Sequence, residues 1–133
     1  MIPMQTETAG DDQAVERLLS AAEAFAAAES LPDLALNRLR MALDDLAFNA
    51  VSYGHAQRLV LTLSVENGRL VAELADDGAP FDPTQAPKPD LESGVEDRPI
   101  GGLGIHLVRT LMTAVTYRHA DGMNRLRMEL ALD

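Results

Sequence analysis

The segment over residues 33–53 has the sequence DLALNRLRMALDDLAFNAVSY, and it decides the fold. Apolar residues recur along it at intervals of three and four positions, namely Leu36, Leu39, Leu43, Leu46 and Ala50. This spacing places them on one face of a helix. The segment therefore predicts a long helix that packs its leucine-rich face against the rest of the molecule.

The sequence before this segment predicts a second helix. An alanine-rich stretch with helical periodicity runs from Asp11 to about Glu29. Residues 30–33 (Ser-Leu-Pro-Asp) resemble a capping box with proline in the first turn, so they are expected to start the long helix. Gly54 suits the C-terminal cap of that helix.

The sequence after the long helix predicts two hairpins around a further helix. Alternating leucines lie on both sides of Asn67-Gly68, which is the strongest short hairpin signal. A long loop over residues 82–100 and a glycine-rich stretch then lead into a helix. Two final strands are joined through Asp121-Gly122.

These elements predict an α+β fold, a two-layer α/β sandwich. A mixed, mostly antiparallel sheet should be covered on one face by helices. The length favours a single domain over residues 1–133. Residues 1–10 are expected to form an edge strand or a flexible N-terminus.

The composition excludes several classes of function. Eleven basic and 21 acidic residues give a net charge of −10, which disfavours nucleic acid and anionic membrane surfaces as partners. The chain has no cysteine, which excludes disulfides, thiolate catalysis and cysteine-based metal sites. The N-terminal residues lack the features of a signal peptide. We therefore expect a cytoplasmic protein.

Asp45 and Asn49 form the first candidate site. They lie four residues apart on the long helix, beside its apolar face, so they would stand at the rim of a pocket. Carboxylate and amide oxygens are ligands that suit Mg²⁺. The alternative is an exposed polar pair with no ligand.

Asp76 and Gly78 form the second candidate site, at the end of a predicted strand. A carboxylate there can accept a hydrogen bond from an exocyclic amine, and glycine lets a flat ring approach the backbone. The alternative is an ordinary Asp/Gly/Pro turn.

The third candidate site is the glycine-rich stretch Gly101-Gly102-Leu103-Gly104, which precedes a helix. Free N–H groups at a helix N-terminus bind anions such as phosphate. The alternative is a flexible hinge.

In combination, the three sites resemble the ATPase superfamily of gyrase, heat-shock chaperones, histidine kinases and mismatch-repair proteins (GHKL). Within it, the sequence is most similar to the anti-sigma factor serine/threonine kinases. The stretches that carry this resemblance are residues 43–50 (LDDLAFNA), 76–83 (DDGAPFDP) and 101–108 (GGLGIHLV). The resemblance covers roughly residues 11–132 and implies the Bergerat-type ATP-binding fold.

The resemblance implies that ATP and Mg²⁺ are bound. Asn49 would coordinate Mg²⁺, and Asp76 would accept a hydrogen bond from the adenine amino group, with Gly78 letting the base lie close. The phosphates would be held by the glycine-rich stretch, through Gly102, Leu103 and Gly104.

The loop over residues 82–100 would then be the ATP lid. Lys88 and Arg98 are its only cations, and either could reach a phosphate.

The sequence departs from the family pattern at two positions. Relatives usually have glutamate as the general base where this chain has Asp45, which is one methylene shorter and leaves catalysis open. Pro80 replaces the second glycine of the Asp-x-Gly-x-Gly motif, which stiffens the loop without preventing nucleotide binding.

The first hypothesis for function is a serine/threonine protein kinase and anti-sigma-type regulator. It would phosphorylate a small anti-anti-sigma protein in a partner-switching pathway and sequester a sigma factor, and the resemblance suggests a homodimer. The second hypothesis is a non-catalytic, nucleotide-gated protein-binding module of the same fold. The third is an α/β domain without a nucleotide site.

Overall fold

The computed structural model describes residues 3–80 and 108–132. Its elements are, in chain order, β1 (Met4–Ala9), α1 (Ala14–Glu29), α2 (Asp33–Ser52), β2 (Arg58–Glu66), β3 (Arg69–Asp76), β4 (Ala114–Ala120) and β5 (Met123–Ala131). Residues 108–111 are also helical and lead through a short bend into β4. Of the helices in these two ranges, none is both long and apolar enough to cross a membrane.

The five strands form one sheet in the order β1-β2-β3-β5-β4, and every pairing between them is antiparallel. Both predicted hairpins are confirmed. Asn67 and Gly68 have φ values of 53° and 75°, and Asp121 and Gly122 have φ values of 56° and 75°. A type I′ turn needs positive φ at both central residues, which explains why these two pairs join the strands.

Helices α1 and α2 cover one face of the sheet, so the predicted two-layer α+β architecture is confirmed. Leu39 and Leu43 of α2 are fully buried against core-facing residues of the strands, such as Leu59 and Leu61. Truncating a leucine in such a core to alanine costs about 2–5 kcal/mol of stability. The buried leucines therefore fix the rotation of α2 about its axis, and with it the directions of the polar residues beside them.

The helix boundaries correct two expectations from the sequence. Ser30 has φ 54° and forms the left-handed C-cap of α1, while α2 begins after Pro32 without a side-chain cap, so the predicted capping box is wrong. After α2, the left-handed residue is His55, with φ 55°, and not Gly54. Gly54 is required there for a different reason, because a Cβ atom would lie 2.9 Å from the carbonyl oxygen of Ala50.

The opposite face of the sheet carries ion pairs. Arg125 lies 3.0 Å from Glu73, and Arg69 lies 3.3 Å from Glu129. A second, small apolar cluster lies on this side and consists of Val60, Ala75 and Met123. The two faces are therefore chemically different, and the side chains of Asp76 and Asn124 lie on the helix-covered one, in register with Leu59 of β2.

Candidate functional site

The C-terminal half of α2 holds Asp45 and Asn49 together. The side-chain nitrogen Nδ2 of Asn49 donates a hydrogen bond to Oδ2 of Asp45 at 3.2 Å, across one helical turn. Both side chains are half-buried. Burial, and then the negative charge of Asp44, raises the pKa of Asp45 above its ordinary value.

This contact determines which atoms of the pair are available to a ligand. Because Nδ2 of Asn49 donates to Asp45, the amide oxygen of Asn49 points away from this contact. Within residues 3–80 and 108–132, that oxygen accepts no hydrogen bond. Oδ1 of Asp45 is also without a donor in this part of the chain. The pair therefore offers two oxygen atoms that a hard cation could use.

Asp76, the last residue of β3, is held from two sides. Its Oδ1 accepts a hydrogen bond from the backbone N–H of Gly78 at 2.9 Å and another from Nδ2 of Asn124 at 3.1 Å. Its Oδ2 accepts none from the residues that the structure describes. The carboxylate is thus fixed by one oxygen and leaves the other as a hydrogen-bond acceptor.

The adjacent Asp77 has a different task. Its Oδ1 accepts the backbone N–H groups of Gln57 and Arg58, at 2.8 and 3.0 Å, where β2 begins. Only Asp76 faces the helix-covered side of the sheet, since strand residues alternate between the two faces. Of the two neighbouring aspartates, Asp76 is the one that the fold leaves for a ligand.

A backbone contact brings the two candidate sites together. The N–H of Ala79 donates to the carbonyl oxygen of Gly54 at 3.0 Å, and the N–H of Gly54 donates to the carbonyl oxygen of Asn49 at 3.1 Å. A Cβ atom on Gly78 would lie 2.7 Å from that same Gly54 oxygen. Glycine at position 78 is therefore required by the approach of the α2–β2 connection, a reason that the sequence did not indicate.

Asn124 and Tyr117 also lie at this site, and neither was predicted from the sequence. Asn124 is 7% exposed and lies next to Asp76 in the β3–β5 register. The hydroxyl of Tyr117 on β4 donates to Oδ1 of Asn124 at 2.6 Å. A signal was available, because Asn124 is the one polar residue in the alternating inward set that continues with Leu126, Met128 and Leu130.

The remaining predicted site residues lie outside the described residues. They are the phosphate-binding candidates Gly102, Leu103 and Gly104, the lid over residues 82–100, and its two cations Lys88 and Arg98. Within the described ranges, no cluster of three or more His, Cys, Asp or Glu side chains is arranged to hold a metal ion.

The sequence has relatives of known family. Residues 8–130 match the family described as the histidine kinase-like ATPase domain. The serine/threonine-protein kinase BtrW of Bordetella bronchiseptica is 37% identical over 87 residues, which are 65% of this chain and 61% of BtrW. The serine-protein kinase RsbW of Bacillus thuringiensis is 26% identical over 95 residues, with 66% of this chain and 59% of RsbW covered. The chain thus spans about three fifths of the length of these curated relatives.

Two solved structures have a similar fold. The crystal structure of the RsbU and RsbW domains of Rv1364c from Mycobacterium tuberculosis has a TM-score of 0.72 at 14% identity, covering 99% of this chain and 33% of that chain. The histidine kinase AdeS of Acinetobacter baumannii has a TM-score of 0.56 at 18% identity, covering 96% of this chain and 68% of that chain. At these identities the likeness concerns the fold alone.

Proposed function

Because the chain belongs to the histidine kinase-like ATPase family, we propose that it binds ATP with Mg²⁺ and phosphorylates a serine or threonine of a partner protein. The names of the curated relatives, which are serine and serine/threonine protein kinases, support the second half of this proposal. The observation that carries the first half is the contact between Ala79 and Gly54, which brings the Asp76 end of β3 beside the Asn49 end of α2.

Asp76 would recognise the base. Its Oδ2 accepts the exocyclic amino group of adenine, while its Oδ1 stays on Gly78 and Asn124. An ionised carboxylate can only accept hydrogen bonds, so it binds an amino group and repels a carbonyl oxygen. Gly78 keeps the α2–β2 connection close to this end of β3, because a Cβ atom there would lie 2.7 Å from the Gly54 oxygen.

Asn49 and Asp45 would serve the phosphate end. Within the described residues, the atoms of this pair that accept no hydrogen bond are oxygens, which fit Mg²⁺ better than softer metals. When bound, Mg²⁺ neutralises charge on the phosphoryl group that is transferred. Asn49 would hold the ion, and Asp45 would accept the hydroxyl proton of the incoming serine. Burial raises the pKa of Asp45, which makes it a stronger base than an exposed aspartate.

The rest of the nucleotide would be held by residues outside the described ranges. The backbone N–H groups of Gly102, Leu103 and Gly104 are proposed to bind the phosphates, as free N–H groups before a helix do. Lys88 or Arg98, in the proposed lid over residues 82–100, would add a positive charge.

The protein partner is proposed to be a small anti-anti-sigma protein that carries the accepting hydroxyl. In such a partner-switching pathway, the chain would also sequester a sigma factor. It is proposed to act in the cytoplasm and to form a homodimer. The net charge of −10 supports a protein partner over nucleic acid or an anionic membrane.

Phosphoryl transfer from radiolabelled ATP tests the kinase directly. The purified chain is incubated with Mg²⁺ and candidate acceptor domains, and the label is located by mass spectrometry. We expect label on one serine or threonine of the acceptor. If the chain binds ATP and none of a full panel of acceptor domains is labelled, the kinase assignment fails and ATP binding stands.

The shorter acid at position 45 favours a second candidate, a nucleotide-gated binding module without turnover. Asp45 accepts the amide of Asn49 at 3.2 Å, which directs its carboxylate towards its own helix. In this case, Asp45→Glu should raise phosphoryl transfer well above the wild type, because the longer acid reaches further. Asp44→Glu, on the exposed side, is the matched control. Transfer that is fast in the wild type and not improved by Asp45→Glu excludes the second candidate.

A further inference from the structure

A buried amide stands behind the carboxylate that is proposed to recognise the base. Asn124 lies at a core-facing position of β5, where its neighbours on the same face are Leu126 and Met128. Placing an amide among apolar side chains costs free energy unless its hydrogen bonds are made. The contacts of Asn124 therefore show what this position does.

The surroundings of Asn124 fix the direction of its amide. Three acceptors face Nδ2, namely Oδ1 of Asp76 at 3.1 Å and the carbonyl oxygens of Gly78 and Ala79 at 3.3 and 3.0 Å. Since Nδ2 can only donate, a flipped amide would place an oxygen against three others. Oδ1 then needs a donor, which the hydroxyl of Tyr117 supplies at 2.6 Å.

These contacts connect Tyr117 to Oδ2 of Asp76, the oxygen that accepts no hydrogen bond from the described residues. Rotation of a carboxylate about its last bond is soft, so its direction has to be set by its partners. Asn124 sets it at Oδ1 and also ties the backbone of residues 78 and 79 to the same point. The hydroxyl of Tyr117 holds Asn124 in the orientation that makes both contacts.

We propose that Asn124, held by Tyr117, is a positioning residue that aims Oδ2 of Asp76 and thereby makes the site select 6-aminopurine nucleotides over 6-oxopurine nucleotides. The inference rests on the proposed function, because it concerns the base that Asp76 accepts. Tyr117 and Asn124 touch no nucleotide in this scheme and act through Asp76.

The test compares ATP with inosine triphosphate (ITP), in which the 6-amino group is replaced by oxygen. Both are titrated by calorimetry into the wild type, Tyr117→Phe, Asn124→Leu and the double variant, with Tyr53→Phe, the chain's other tyrosine, as the matched control. We expect Tyr117→Phe to lower the ATP-to-ITP affinity ratio by about 3- to 10-fold and Asn124→Leu by about 10-fold or more. Because Tyr117 acts through Asn124, the double variant should equal Asn124→Leu, while Tyr53→Phe should equal the wild type.

The outcomes separate this inference from the proposed function. A ratio that stays unchanged in Tyr117→Phe and Asn124→Leu, with ATP preferred throughout, overturns the inference and leaves ATP binding in place. Equal losses for ATP and ITP, or effects that add in the double variant, also overturn it, since they indicate a merely structural role. A wild type that binds neither nucleotide overturns the proposed function itself. If Asn124→Leu does not fold, the milder Tyr117→Phe, checked by its melting temperature, decides the question alone.

Discussion

The two carboxylates proposed to act on ATP are held in opposite ways. Among the residues that the structure describes, Asp45 on α2 receives a single hydrogen bond, at 3.2 Å, from a residue one turn along its own helix. Asp76 on β3 receives two at 3.1 Å or less, one of them from a strand 48 residues further along the chain. The carboxylate proposed for catalysis is thus held loosely, and the one proposed for recognition is held firmly.

The difference follows from the demands of the two tasks. Recognition of a base needs an acceptor at a fixed point, and hydrogen bonds from separate elements supply that rigidity. A general base must reach a proton on an incoming partner, so freedom to move is compatible with its work. The burial that raises the pKa of Asp45 also prepares it to accept a proton.

The largest effect is expected on phosphoryl transfer, when the loosely held carboxylate of Asp45 is removed. Asp45→Asn keeps the shape and the oxygen that accepts from Asn49 but cannot take a proton. We expect phosphoryl transfer to fall by roughly 10²–10⁴-fold with ATP affinity nearly unchanged. Single-turnover transfer and calorimetry measure the two quantities. Asp44→Asn removes an adjacent exposed charge, and equal losses in both variants would contradict a specific role for Asp45.

The next effect concerns the Mg²⁺ ion that is proposed to bind at Asn49. Asn49→Ala removes the amide oxygen that is proposed to bind Mg²⁺. The factor by which Mg²⁺ increases ATP affinity should therefore shrink by roughly 10- to 100-fold. Asn37→Ala is the matched control, because Asn37 is an exposed asparagine on the same helix. Calorimetric titrations with and without Mg²⁺ give the comparison. If Mg²⁺ increases ATP affinity as much in Asn49→Ala as in the wild type, Asn49 does not bind the ion.

The contact that joins the two regions can be broken at Gly78. An added Cβ would lie 2.7 Å from the Gly54 oxygen, so Gly78→Ala should lower the free energy of unfolding by about 1–3 kcal/mol and weaken ATP binding as well. Gly122→Ala is a useful control, since Gly122 has φ 75° and open space around it. It should cost about 1 kcal/mol of stability and leave ATP affinity alone. Thermal unfolding and calorimetry distinguish the two variants.

The smallest expected effect is on stability against pH. The folded protein binds a proton at Asp45 more readily than the unfolded chain does, so the charged carboxylate lowers stability at neutral pH. Asp45→Asn should therefore raise the melting temperature by roughly 1–2 °C at pH 7. The difference should vanish as the pH falls below the ordinary aspartate pKa of about 3.9. A difference that is constant with pH would show that the charge of Asp45 is not its source.

The sequence predicted contacts between residues that lie close together along the chain, and it did not predict contacts between residues that lie far apart along it. Asp45 and Asn49 lie one helical turn apart, and the Asn-Gly and Asp-Gly turns are local signals, so pattern alone placed them. The partners of Asp76 come from a strand near the other end of the chain, and no local pattern shows that Asn124 lies next to it. Ser30 was expected to cap the start of α2, but it caps the end of α1. The sequence could not distinguish the two, because serine occurs at helix starts and also, in a left-handed conformation, after helix ends.

The neighbouring aspartates Asp76 and Asp77 allow the most direct measurement, because one is proposed to recognise the base and the other only supports β2. In Asp76→Asn an amide nitrogen replaces an acceptor, so ATP affinity should fall by roughly 10- to 100-fold in a calorimetric titration with Mg²⁺. Asp77→Asn keeps an oxygen for the N–H groups of Gln57 and Arg58, and its ATP affinity should match the wild type. Equal affinities in Asp76→Asn and the wild type would contradict base recognition at this strand end.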